Sequence, residues 1–133
     1  SVRVGSRVGL YETGSGHVLL AFRSDAERLT MIGENQGSDT PVKGPEELFQ
    51  HLNVVAARGF ERMPSAQMRG VYNLSVPVLG PGQAAIAAIT IPFIELIDKP
   101  GAPDMDATLS LLRQTAESLA SLAGLNAGLQ PAA

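Results

Sequence analysis

Two apolar, β-branched runs on either side of a Gly-Pro-Gly segment constrain this chain most. Residues 71–79 read VYNLSVPVL, residues 84–92 read AAIAAITIP, and GPGQ lies between them. Branched apolar residues favour extended backbone and Gly-Pro-Gly interrupts it, so an antiparallel hairpin is predicted. With Leu79 facing Ala84, the register sets Val71 opposite Pro92, Asn73 opposite Thr90 and Ser75 opposite Ala88. Side chains alternate across a strand, which puts Tyr72, Leu74, Val76, Val78, Ala85, Ala87, Ile89 and Ile91 on one face as plain core. The other face is apolar except for Asn73, Ser75 and Thr90. An apolar floor carrying a few convergent polar groups suits a small-molecule pocket. None of the three ionises near neutral pH, so they suit binding better than acid–base catalysis.

The bulk properties narrow the function classes. At 133 residues the chain fits one domain with a real core, and 44% apolar with 17% charged residues is a globular composition. A net charge of −3 and ten scattered basic residues argue against a nucleic-acid surface, which needs clustered Lys and Arg. There is no cysteine, which excludes disulfides and thiolate metal sites. The two histidines, His17 and His51, stand 34 positions apart, which counts against a histidine metal site; no metal and no cofactor are expected. No run approaches the about 20 apolar residues of a membrane span. The first residues lack the charged and apolar regions of a signal peptide, so a cytoplasmic protein is expected. The opening inside an apparent strand, without Met, leads us to expect a fragment of a longer protein.

Residues 2–10 alternate Val, Val, Ser, Val and Leu with Arg and Gly, a period of two that predicts a strand with one wet face. A breaker-rich link at 11–16 leads into a short apolar helix over 17–23, with Thr13 or Ser15 as N-cap. Ser24 and Glu27 match a capping box opening a second helix to about Ile32, and residues 33–44 read as a polar surface loop. Pro45, Glu46 and Glu47 suit a helix start, Leu48, Leu52, Val55 and Ala56 form its apolar stripe, and Gly59 ends it. A short strand over 60–63 precedes the hairpin. Asp104 or Asp106 caps a long last helix with Met105, Leu109, Leu112, Ala116, Leu119 and Ala123 on its buried face. About four strands and four helices make an α+β fold, with helices packed on a mainly antiparallel sheet. The domain is expected over 1–124, with a flexible tail at 125–133.

Three strings invite a chemical reading. Thr13-Gly-Ser-Gly-His17 places glycines at a helix start, where free backbone N–H groups receive an anion, although it lacks the lysine of a P-loop and the dinucleotide glycine spacing. The plain alternative is a tight turn into a helix. Ser15 and His17 could form a nucleophile and base, but residues two apart on a helix do not face each other, and no G-x-S-x-G elbow is present. His17 is read as a helix-surface or dimer-contact residue. His51, one turn past Glu47, is read as a solvated side chain.

These residues together resemble the C-terminal effector-binding domain of IclR-type bacterial transcriptional regulators. Residues 10–21, LYETGSGHVLLA, are similar to the family string "plhataxGkalLA". Residues 54–60, VVAARGF, are similar to its "ir..Gy" helix end. Residues 70–78, GVYNLSVPV, with 84–91 and the helix end at 118–124, are similar to "Gv.ciAaPv…vaAlsis…is..lG". The ordered set spans roughly 2–124. The resemblance implies a GAF-like sheet with helices and a long C-terminal helix, binding a small organic effector, commonly a carboxylate. It further implies coupling to a separate winged helix-turn-helix, homodimer or homotetramer assembly, no catalytic residues, and first strands missing from this chain. Carried over residue by residue, Gly14 and Ser15 match a turn whose amides receive the carboxylate. Asn73 falls where a pocket Cys is common, and Thr90 on a pocket Ser or Thr. Two departures make the pocket less polar: Met63-Pro-Ser-Ala66 replaces an acidic run, and Pro92 replaces a second serine. Gly14, Ser15, Met63, Val71, Asn73, Ile86, Thr90 and Pro92 are therefore the expected ligand-binding set, for an effector with an apolar or aromatic body. The alternatives are a GAF-like dimerisation module without ligand, and a hydrolase using Ser15 or His17.

Overall fold

The computed structural model describes residues 3–34 and 45–124. Four helices and a three-stranded antiparallel sheet make up the α+β fold: α1 (Gly14–Ala21), α2 (Asp25–Glu34), α3 (Pro45–Arg58), β1 (Glu61–Pro64), β2 (Val71–Leu79), β3 (Ala85–Ile94) and α4 (Met105–Leu122). The sheet order is β1-β2-β3. The expected loop at 33–44 lies, from residue 35 on, outside the described residues, as does the tail at 125–133. Among the described residues no helix is long and apolar enough to cross a membrane.

The sheet is covered on both faces. Leu74, Val76 and Val78 of β2 pack against Leu109, Leu112, Ala116 and Ala120 of α4, the burial the hairpin alternation predicted. On the opposite face α1 lies across all three strands, and α3 packs behind α1. Val18, Leu20 and Ala21 of α1 meet Leu48, Leu52 and Val55 of α3 in a second core cluster, with Tyr11 beside them. The α3 stripe is thus the one read from spacing. On α4 the buried face runs Leu109, Leu112, Ala116, Ala120, and Leu119 is 47% exposed. Steps of three and four residues from Leu109 pass Leu119 on the flank, and Ala123, past the last residue of α4, is exposed, so the inclusion of both in the core is corrected.

Helix ends follow their local chemistry. The Thr13 side chain accepts the Gly16 N–H, and Ser24 and Glu27 exchange the reciprocal bonds of a capping box. Asp104 accepts the Ala107 N–H to start α4. Gly59 holds φ at +88° just past α3, where a side chain would be strained, and its N–H donates to Val55 O. Arg28 is buried and donates to Leu20 O and Ala21 O, adding side-chain donors to carbonyls at the end of α1.

Two expectations fail. Residues 3–10 form no strand: they run irregular and largely exposed, with Gly5 at φ +87°. Their alternation of Val with Arg and Gly has the right period, but an extended segment becomes a strand only when its N–H and C=O groups find a neighbour, and among the described residues none pairs here. The hairpin register is the second. Leu79 pairs with Ala85 around a five-residue turn closed by Gly80 N–H to Ala84 O, and a bulge beside Leu79 takes one more residue. The pairing therefore slips by two: Ser75 faces Thr90, and Asn73 faces Pro92 instead of Thr90. From Ala87 onward a slip of two keeps the side chains on their expected faces, whereas the bulge turns Ala85 to the Leu79 face.

Candidate functional site

Directly paired residues share a face, so the α1 side of the sheet carries two cross-strand rows. One is Glu61–Ser75–Thr90, and the next is Met63–Asn73–Pro92. Rows of this kind lie about 7 Å apart along the strands. Thr90 Oγ1 is 2.7 Å from Ser75 Oγ and 2.6 Å from Ser15 Oγ. A hydroxyl has one proton and two lone pairs, so Thr90 donates to at most one serine and accepts from the other or from both, and the three form a hydroxyl chain from the buried strand to α1. Ser15 sits in the first turn of α1. There the Gly16 N–H is taken by Thr13 Oγ1 and the His17 N–H by Thr13 O, while those of Gly14 and Ser15 precede any intrahelical acceptor. Among the described residues these two N–H groups have no backbone acceptor, and the positive end of the helix dipole lies beside the hydroxyl chain, an arrangement that favours an anion.

Glycine eases the approach of α1 to the sheet. A methyl group at Gly14 would stand 2.6 Å from Ser75 Oγ, so the hydroxyl would have to turn for the helix start to come down this far onto the strand. Of the expected binding set, Gly14, Ser15, Met63, Asn73, Thr90 and Pro92 fall on or beside these two rows. Val71 is buried in the next row, opposite Ile94. Ile86 stands apart, half-exposed beside the hairpin bulge and against Gly80. Thr90 and Pro92 are exposed, so a molecule can reach this end of the face.

Behind the hydroxyl chain lies a cluster that spacing alone did not reveal. Glu61, at the inner end of its row, is fully buried. Its Oε2 lies 2.7 Å from His17 Nδ1 and 2.6 Å from His51 Nε2. Its Oε1 accepts from Arg58 Nη2 at 2.6 Å and from the Arg62 N–H at 2.9 Å. Burial by itself would raise the carboxyl pKa, but the hydrogen bonds from His17 and His51, with the charge of His51 and the Arg62 amide, outweigh it and hold the group at about 2. His17 is thus no surface or dimer-contact residue: it is buried, and its Nε2–H donates to Tyr11 O at 2.7 Å. Nor is His51 merely solvated, since its ring is about one-third exposed and bound to Glu61. The fold turns α1 and α3 toward β1, and the two histidines converge despite their separation in the chain. The signal available in sequence was a charged residue at an inward strand position between Phe60 and Met63, which has to find partners when buried.

The same geometry bears on hydrolysis. The Ser15 hydroxyl is bonded to Thr90, while both nitrogens of His17 are engaged by Glu61 and Tyr11, so the two do not form a nucleophile and base. A separate cleft of about 390 Å³ opens on the α4 side between the end of α3, β2 and α4, with Phe22, Arg58, Gln83 and Arg113 among its lining; Asn73 and Thr90 do not line it.

Compared with known proteins, residues 1–121 match the family described as bacterial transcriptional regulator IclR C-terminal. The C-terminal domain of the transcriptional regulator KdgR of E. coli is 23% identical, with a TM-score of 0.68 over 88% of this chain and 72% of that one. The inducer-binding domain of an Acinetobacter PobR double mutant, solved with 3-hydroxybenzoic acid, is 25% identical, with a TM-score of 0.62 over 88% of this chain and 68% of that one. A probable HTH-type transcriptional regulator ArcR of Halobacterium salinarum is 25% identical over 85 residues, 62% of this chain and 32% of that protein. The chain thus spans about a third of the curated relative it matches. A family of transcriptional regulators, not of enzymes, is what the whole length of the fold agrees with, and the chain belongs to the IclR C-terminal family.

Proposed function

We propose that this chain senses a small organic carboxylate with an aromatic or apolar body and passes that signal to a separate DNA-binding domain. The observation that carries the reading is the Ser15–Thr90–Ser75 hydroxyl chain at the N-terminus of α1, beside the apolar row of Met63 and Pro92. The Gly14 and Ser15 amides would take the carboxylate, helped by the helix dipole. Thr90 and Asn73 would hydrogen-bond a polar substituent. Met63, Val71 and Pro92 would wall the ligand body, a lining that favours a benzoate-like acid over a very small polar one. The PobR domain's complex with 3-hydroxybenzoic acid supports an aromatic acid as the first class to try. Binding would favour one packing of α1 on the sheet and, in a homodimer or homotetramer in the cytoplasm, one spacing of the attached DNA-binding domains.

A panel of benzoate, hydroxybenzoates and short aliphatic acids tests this by thermal shift. At a hundredfold excess over Kd the correct class stabilises by about 2.7 kcal/mol, on the order of 8 °C. Thr90→Val, which keeps the shape and removes the hydroxyl, abolishes most of that rise. Stabilisation by only the smallest polar acids, or an unchanged rise in Thr90→Val, contradicts the reading. A second reading follows from the α4-side cleft, whose Arg58 and Arg113 also suit a carboxylate.

A further inference from the structure

We propose that His17, His51 and Glu61 form a binding site for a divalent transition-metal ion of the zinc class. The three ligand atoms, His17 Nδ1, His51 Nε2 and Glu61 Oε2, lie within 4.8 Å of one another, and they come from α1, α3 and β1. Two imidazoles and one carboxylate are a recurrent protein donor set for zinc, with the fourth position left to water or another ligand. The set excludes calcium and magnesium as natural occupants, because both prefer oxygen donors.

Proton bookkeeping at His17 points the same way. Tyr11 O can only accept, so the ring nitrogen facing it, Nε2, carries a proton. In a neutral imidazole that leaves a bare lone pair on Nδ1, aimed at a carboxylate oxygen 2.7 Å away, and two acceptors repel. Either a second proton or a metal ion has to stand between them. A histidine whose far N–H is fixed on a backbone carbonyl is the arrangement metal-ligating histidines use to set tautomer and ring direction. Glu61 is oriented in turn, with Oε1 held by Arg58 and the Arg62 amide so that Oε2 alone faces the rings. The rings meet edge to face at 66°, with centroids 5.2 Å apart, and His17 Nδ1 and His51 Nε2 both contact the one oxygen, Glu61 Oε2.

With metal–ligand distances of about 2.0–2.2 Å, tetrahedral ligand atoms stand about 3.4 Å apart. The present contacts of 2.6 and 2.7 Å thus open by roughly 0.7–0.8 Å, and the two ring nitrogens, within 4.8 Å of each other, adjust to the same spacing by rotation of His51, which is about one-third exposed and provides the path to solvent. Arg58 opposes a cation, but it sits on the other carboxylate oxygen and is itself about one-third exposed, where water screens it. Separation in the chain, the objection raised by sequence, is removed by the fold.

His17 and His51 are the only histidines, and there is no cysteine, so imidazole-type metal binding by this chain reports this site alone. The test uses the tag-free chain, stripped with chelator and titrated with Co²⁺ and then Zn²⁺. We expect one Co²⁺ per chain with the visible absorption of a four-coordinate site, displacement by Zn²⁺, and a Zn²⁺-dependent rise in Tm. His51→Ala and His51→Gln, both checked for fold by circular dichroism, weaken binding by about a hundredfold or more, while Thr30→Ala, on the exposed side of α2, leaves it unchanged. Absence of the cobalt spectrum and of any zinc-dependent Tm rise overturns the proposal. So does equal binding in both His51 variants, or a ¹⁵N spectrum in which His17 stays protonated on both nitrogens in saturating Zn²⁺.

Discussion

Glu61→Ala destabilises the domain by about 3–5 kcal/mol at pH 7, the range measured when one partner of a buried charge cluster is removed. Glu61 is the shared acceptor for His17, His51, Arg58 and the Arg62 amide, and it is fully buried, so its loss strands polar groups from three elements at once. Its charge gives the effect a pH signature. The folded-state pKa, about 2, lies below the ordinary 4.5, so the folded chain binds this proton less readily than the unfolded chain. The contribution is therefore full above about pH 4.5 and fades as pH falls toward 2, and the shift corresponds to about 3 kcal/mol. Urea unfolding of the wild type and Glu61→Ala at pH 7, 5, 4 and 3 reads this directly. The gap between the two proteins narrows on the acid side. A gap that stays constant from pH 7 to 3 would show that Glu61 stabilises by shape, not by charge.

Gly16→Ala is the second large effect, with a loss of about 3 kcal/mol or more, the upper end of overpacking costs. A methyl group there would overlap the Leu10 carbonyl oxygen and stand 2.6 Å from its carbon and 2.7 Å from its α-carbon. The obstacle is backbone, which cannot rotate away. Moving it displaces Tyr11, which is buried and whose carbonyl receives the His17 Nε2–H. Gly14→Ala meets a side chain, Ser75 Oγ, and costs less because the hydroxyl can turn, though it breaks the bond to Thr90. Gly33→Ala, near the end of α2 with open space around it, is the control and is neutral or stabilising by up to about 1 kcal/mol. Equal melting temperatures for Gly16→Ala and Gly33→Ala would refute the close approach of residue 10 to α1.

The elements whose residues carry their own instructions were legible. The Leu48–Leu52–Val55 stripe, the Ser24 capping box, the Asp104 cap and the hairpin each rest on local spacing, and all appear. Ser15 and Thr90 were named for separate reasons and prove to be bonded, because strand alternation survives a register slip of two. What was not legible depends on partners far along the chain. The pairing of Asn73 with Pro92 is set by a turn one residue longer than GPGQ suggests and by a bulge, neither of which has a strong composition signal. Residues 3–10 alternate like a strand yet pair with no neighbour among the described residues. The Glu61 cluster draws on positions 17, 51, 58 and 61, whose meeting follows only from how α1 and α3 stack on the sheet.

The proposed effector site lies between the start of α1 and the Asn73–Thr90 end of the hairpin face. Amide chemical-shift mapping during titration with 3-hydroxybenzoate separates this site from the cleft beneath α4. The largest shifts are expected on the Gly14 and Ser15 amides, with Thr90 and Asn73 next, and they vanish in Thr90→Val. Shifts gathered instead around Gly59, Gln83 and Arg113, in the cleft beneath α4, would contradict it.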